Sequence, residues 1–201
     1  MTESLPIAFL PGASGNTSFW RPVAERLAGR TAIHVGYPAF GGVPPHPEVR
    51  SLSDLYRHVF ASLPPRFDLV AQSMGGVLAA RKAIEEPERV RRLVLTTTSG
   101  GVDTVRLGAV DWRAGRAAWQ GNAPDWFVDD RTDLTEHLAT LQAPTLLIFG
   151  DEDPISPVAV GEFLRDRIPA SRLVVLRGGT HDLALERPDE VATLIAAHLD
   201  A

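Results

Sequence analysis

Residues 67–80 read FDLVAQSMGGVLAA. A strongly apolar run ends at Ser73, and after Met74 the chain passes through Gly75-Gly76 into a second apolar run of small residues. The first run has the character of a buried strand and the second that of a helix, so Ser73 stands in a sharp turn between them. A serine packs poorly there. Such a turn instead exposes a hydroxyl, holds it rigidly and sets a helix N-terminus behind it, which is what a nucleophilic serine requires. The tightness of the turn calls for small residues two positions either side. These are Ala71 and Gly75, so the stretch departs by one methyl group from the usual G-x-S-x-G pattern. The amide of Met74, at the helix N-terminus, points toward a reacting carbonyl oxygen in this reading. The alternative is a serine that merely caps the helix beginning at Met74.

Five further aliphatic runs resemble the first: LPIAFL (5–10), TAIHVG (31–36), RRLVLTT (91–97), APTLLIFG (143–150) and RLVVLRG (172–178). None alternates strictly with polar residues, the pattern of strands covered on both faces in a parallel sheet. Segments of helical character lie between them: SFWRPVAERLAG, SLSDLYRHVFASL, MGGVLAARKAIEE, VAVGEFLRDRI and PDEVATLIAAHL. Alternating strands and helices predict a doubly wound α/β domain whose ligands gather outside the carboxyl ends of the strands. Pro188, followed by Asp189 and Glu190, suits the first turn of the last helix. Pro64-Pro65 and Pro87 close the second and third helices.

The 201 residues suit one domain, residues 1–201, with no interdomain linker. One segment, 100–132, interrupts the rhythm between the fourth and fifth strands and is too long for a simple crossover. It holds Trp112, Trp119 and Trp126 at seven-residue intervals, although Pro124 argues against one helix through all three. It is expected to lie over the sheet edge as a lid.

Composition narrows the partners. A net charge of −5 with no block of either sign disfavours nucleic acid and anionic membrane surfaces. The absence of cysteine removes disulfides, thiolate nucleophiles and sulfur-built zinc sites. The opening MTESLPIAFLPGAS lacks the basic start and apolar core of a signal peptide, and no run is long enough for a spanning helix, so a soluble, cytoplasmic protein is expected.

A serine hydroxyl needs a base within hydrogen-bond reach and a third group to orient that base. After the fifth strand GDEDPISP offers Asp151, Glu152 and Asp153; after the sixth GGTHDLALERPDEV offers His181. All follow strand ends, so a parallel sheet brings them to the edge that carries Ser73. His34, His46, His58, His137 and His198 lack such a setting and are read as structural or surface residues, and Asp182 as a turn residue. Gly12 and Gly15 do not fit the G-x-G-x-x-G spacing of a dinucleotide loop.

In this order the motifs resemble the α/β-hydrolase fold superfamily over nearly the whole chain. LPGASGNTSFWRPVAERLA resembles its oxyanion segment and first helix, AQSMGG its nucleophile turn, EEPERVRRLVLTT its next helix-strand unit, APTLLIFGDEDPISP its acid turn and GGTHDLALERPDEV its histidine turn and last helix. The resemblance implies Ser73 as nucleophile, His181 as general base and then acid, and Asp153, three residues after Gly150, as the orienting acid. Asp151 is the rival, with a turn-stabilising role as its alternative. It also implies an oxyanion hole from the amides of Ala13 and Met74, where Pro11-Gly12 replaces the family's His-Gly without removing the relevant N–H. The first two strands common in the superfamily are missing, so six parallel strands are expected. The short lid implies a shallow or partly open pocket, with Phe19, Trp20, Trp112, Trp119 and Trp126 as candidate lining residues. The resulting expectation is a serine hydrolase acting on a small ester or related acyl compound through an acyl-enzyme, without metal or cofactor. Alternatives on the same triad are a C–C bond hydrolase, a lyase or a perhydrolase, and outside catalysis a small-molecule receptor.

Overall fold

The computed structural model describes residues 5–114 and 123–201. Its sheet has six parallel strands in the order β2-β1-β3-β4-β5-β6, with β1 Ile7–Leu10, β2 Ala32–His34, β3 Phe67–Gln72, β4 Val90–Thr96, β5 Thr145–Gly150 and β6 Ser171–Leu176. Each lies within a residue or two of an apolar run. The central runs lack polar alternation because both of their faces are covered. Leu69 and Ala71 of β3, Leu93 and Leu95 of β4, and Leu147 and Phe149 of β5 enter one core. Val70, Val94, Leu146 and Ile148 enter the other.

The first core is closed by α2 (Leu52–Ala61), α3 (Met74–Glu85) and α5 (Val158–Arg167). The second is closed by α1 (Arg21–Ala24), α6 (Leu183–Glu186) and α7 (Pro188–Asp200). A short α4 (Asp125–Asp129) sits in the segment between β4 and β5, and Pro124 is its N-cap. The first helix is shorter than its sequence pattern. Beyond Ala24 the bonds Arg26 N–H to Val23 O and Leu27 N–H to Ala24 O span three residues, and Gly29 then takes a left-handed φ of 78°, which ends the element.

At the amino ends of the strands, Asp68 is wholly buried and accepts a bidentate bond from Arg91 at 2.8 and 2.5 Å. Arg30 approaches the same carboxylate at 3.9 Å and also pairs with Asp200, tying β3, β4 and the end of α7 together. His198, 6% exposed, donates from Nε2 to the Pro144 carbonyl at 3.1 Å. Burial, with smaller contributions from the charges of Arg92 and Arg172, lowers its pKa below the ordinary histidine value. His34, stacked on Phe9, is lowered in the same way by burial and by Arg21. The unfolded chain therefore takes up these protons more readily, and stability falls as pH drops through the ordinary histidine range. Between about pH 7.5 and about pH 5.5, His198→Gln should lose less thermal stability than the wild type, measured as the difference in Tm across that interval.

Among the described residues no helix is long and apolar enough to cross a membrane.

Candidate active site

Ser73 occupies the turn from β3 into α3 with φ 53° and ψ −122°, a backbone conformation rare for a residue with a side chain. The turn closes tightly. A Cβ on Gly75 would fall 2.5 Å from the Pro11 carbonyl oxygen, and one on Gly76 would fall 2.3 Å from Thr98 Oγ1. The small residues after Ser73 thus let α3 start against β1 and β4. The Ser73 side chain makes no capping bond to the helix. Its Oγ lies 3.0 Å from Nε2 of His181 instead.

His181 follows β6, and its Nδ1 lies 2.8 Å from Oδ2 of Asp153, which follows β5. Asp153 is 3% exposed, and its other oxygen accepts from the amides of Ile155 at 2.8 Å and Ser156 at 3.1 Å. The carboxylate is thereby fixed at both oxygens, and an imidazole with its proton on Nδ1 would donate to it and turn the lone pair of Nε2 to the serine. Asp151 has a different task, accepting from the Gly178 amide at 2.5 Å, and so joins the two turns that carry Asp153 and His181. The structure therefore brings Ser73, His181 and Asp153 into one line and leaves Asp151 out of it.

The turn after β1 supplies the other wall. Ala13 and Met74 both line the cavity at Ser73. Two supports of this turn escaped the sequence reading. Tyr37, fully buried, donates its hydroxyl to the Pro11 carbonyl at 2.9 Å, and burial pushes its pKa well up, so it remains a donor. Trp20 donates Nε1 to the Leu10 carbonyl at 2.9 Å. With proline at position 11, these two rings brace the main chain that precedes Gly12.

The cavity has a volume of about 580 Å³ and lies between the strand ends and residues drawn from 99–113 and 127–133, within the range of small-molecule sites. Of the five aromatic residues expected to line it, Trp112 does. Phe19 and Trp20 do not: they are 3% and 1% exposed and sit in the core on the α1 and α7 side of the sheet, where the turn that leads into α1 packs both rings inward. Trp126 also points elsewhere, packing edge-on against Phe40, while its neighbour Phe127 stacks on Trp112 and reaches the cavity. Trp119 lies outside the described residues. Arg113 braces the wall by donating to the carbonyls of Val128 at 3.1 Å and Asp130 at 3.0 Å, with its guanidinium over the Trp112 ring. Burial, then the nearby charge of Arg131, lowers its pKa.

Known proteins resemble this chain in sequence and fold. The chain is 27% identical over 236 aligned residues to the pimeloyl-[acyl-carrier protein] methyl ester esterase of Aeromonas hydrophila, covering 94% of this chain and 93% of that one. The alignment exceeds 201 residues, so that relative carries segments this chain lacks. Among solved structures, a thermophilic esterase from Thermogutta terrifontis superposes with a TM-score of 0.79 at 22% identity, covering 98% of this chain and 89% of that one. A meta-cleavage product hydrolase from Pseudomonas fluorescens does so with a TM-score of 0.78 at 20% identity, over 98% and 91%. A model described as TAP-like protein matches residues 113–200. The model of the alpha/beta hydrolase family matches residues 7–135, more than half of the chain and the part that holds the Ser73 turn, and with the six-stranded parallel sheet it makes this protein an enzyme of the α/β-hydrolase type that belongs to the alpha/beta hydrolase family.

Proposed function

We propose that the protein is a serine esterase that cleaves a small ester through an acyl-enzyme. The observation that carries this reading is the 3.0 Å approach of His181 Nε2 to Ser73 Oγ at a cavity wall that also includes Ala13 and Met74, whose amides take the part of oxyanion donors in this reading. Ser73 Oγ attacks the ester carbonyl carbon while its proton passes to His181 Nε2. The carbonyl oxygen becomes an oxyanion that accepts from the two amides, each such donor contributing roughly 3 kcal/mol. Collapse breaks the bond to the alcohol, which leaves with the proton from His181. Water then gives a proton to His181 and its oxygen to the acyl carbon, and a second collapse frees the acid and restores Ser73. Asp153 keeps the imidazole in the required tautomer throughout and stabilises it when charged.

The likeness to a methyl ester esterase supports a small alcohol as the leaving group, and the cavity of about 580 Å³ supports an acyl group of modest length. A panel of esters that varies the alcohol and the acyl chain separately tests this. The expected result is turnover of methyl and p-nitrophenyl esters, falling by roughly tenfold or more once the acyl chain outgrows the cavity, as unfilled or misfit methylenes are worth about 1–3 kcal/mol each. Turnover rising steadily with chain length, or no ester turnover beside tight ligand binding, would reject the assignment in favour of a lipid-directed enzyme or a receptor.

A further inference from the structure

β4 contributes none of the three reacting side chains, yet it neighbours the strands that lead to two of them. It stands between β3, which leads to Ser73, and β5, which leads to Asp153, and it runs out in three consecutive threonines, Thr96, Thr97 and Thr98, all wholly buried. His181 comes from beyond β6, three strands from β3, or about 14 Å at the usual strand spacing. The chain after β6 must therefore return across β5 and β4 for the imidazole to meet Ser73.

Two of the threonines meet the main chain at the ends of that span. Thr97 Oγ1 donates to the His181 carbonyl at 3.0 Å, and Thr98 Oγ1 donates to the Ser73 carbonyl at 2.5 Å. Thr96 takes part through its carbonyl, which accepts from the Ser73 amide at 3.2 Å. Gln72 Nε2 adds a longer bond to the His181 carbonyl at 3.3 Å. Adjacent side chains on one strand end thus hold the two residues whose own side chains stand 3.0 Å apart.

The backbone at this point is strained. Thr97 has φ 41°, in the left-handed region that a β-branched residue rarely enters, at a cost of about 1–3 kcal/mol. Glycine would meet that φ without strain, but it has no hydroxyl to offer His181. Thr98 is held in turn, since its Oγ1 accepts from the Gly100 amide at 3.1 Å and packs over Gly76. Neither Thr97 nor Thr98 lines the cavity, so any influence on the reaction passes through the residues they hold.

We infer that Thr97 and Thr98 act as a two-point gauge that sets the separation of Ser73 and His181, with Thr97 the positioning residue for His181. This rests on the proposed roles of Ser73 and His181 as nucleophile and base. Thr97→Val removes the hydroxyl at nearly constant shape. With p-nitrophenyl acetate it should lower kcat about ten- to a hundredfold, the order expected when a catalytic group shifts by about 1 Å, while KM stays within about twofold. Thr97→Ser should restore kcat to within about threefold of wild type.

Thr97→Gly serves as the second variant, because it relieves the strain while deleting the hydroxyl. It should keep or raise Tm and still lose kcat to the same order as Thr97→Val. A residue that only supported the fold would not move stability and kcat in opposite directions. In a His181→Ala background Thr97→Val should cause no further loss of the residual activity. Wild-type kcat in folded Thr97→Gly, or an undiminished effect of Thr97→Val without His181, would overturn the inference. Wild-type turnover by His181→Ala itself would instead remove the assignment of His181 on which the inference stands.

Discussion

Asp153→Asn is expected to lower kcat for an ester by about 10⁴-fold with little change in Tm. The amide of asparagine can turn its NH₂ toward Nδ1 of His181, where the carboxylate now sits at 2.8 Å. The ring would then carry its proton on Nε2 and offer Ser73 a hydrogen where it needs a lone pair. Asp151→Asn is the matched control, two residues away on the same turn. Its Oδ1 could still accept from the Gly178 amide, so kcat should stay within about threefold and stability should fall by no more than about 1 kcal/mol. Steady-state kinetics on the two variants decide between the carboxylates. A larger loss in Asp151→Asn would reassign the orienting acid.

The second large effect is expected on stability rather than rate. Asp68→Ala should cost about 3 kcal/mol, because it strips a wholly buried carboxylate from Arg91 and leaves both Arg91 and Arg30 without their shared anion. For a chain of this size that corresponds to a fall in Tm of about 10 °C. Asp68 stands five residues before Ser73 on the opposite edge of the sheet, roughly 15 Å away along an extended strand, so kcat of the folded variant at room temperature should hardly change. Thermal unfolding and kinetics on the same preparation test both halves. A change in Tm below about 3 °C would mean that the arginines find water or other carboxylates at little cost.

These two aspartates also mark what local sequence conveys. The six strands were readable because burial on both faces removes polar alternation, so each strand stands out as an aliphatic run such as TLLIFG or FDLVAQ. The parallel order then followed from helices placed between them. Ser73 was readable because its turn needs small residues at fixed offsets, and Gly75 and Gly76 fill contacts that a Cβ would violate. The choice of Asp153 over Asp151 came from a resemblance, not from local chemistry. Both carboxylates follow Gly150, and only the returning chain after β6 decides which one faces the imidazole.

Other features depended on contacts between residues far apart in the chain. Phe19 and Trp20 carry no mark of which face of the sheet α1 covers, and they pack in the core opposite to the cavity's helices. Tyr37 reaches Pro11 across 26 positions, and Thr97 reaches His181 across 84. Nothing in YPAFGG or LTTTSG announces either bond. The run of three threonines at a strand end was nonetheless a usable signal. Three consecutive polar residues with no exposure call for partners, and here the hydroxyls of Thr97 and Thr98 find carbonyls at the site while that of Thr96 has none among the described residues. The replacement of histidine by Pro11 was visible as a departure, whereas the bracing by Tyr37 and Trp20 was not.

Treatment with a fluorophosphonate, followed by intact-mass and peptide-level mass spectrometry, tests most directly whether the Ser73 hydroxyl is the attacking group. The expected result is one adduct per chain, on the peptide containing Ser73, formed in step with loss of ester turnover and absent from folded Ser73→Ala. Modification at a different residue, or wild-type ester turnover by Ser73→Ala, would contradict it.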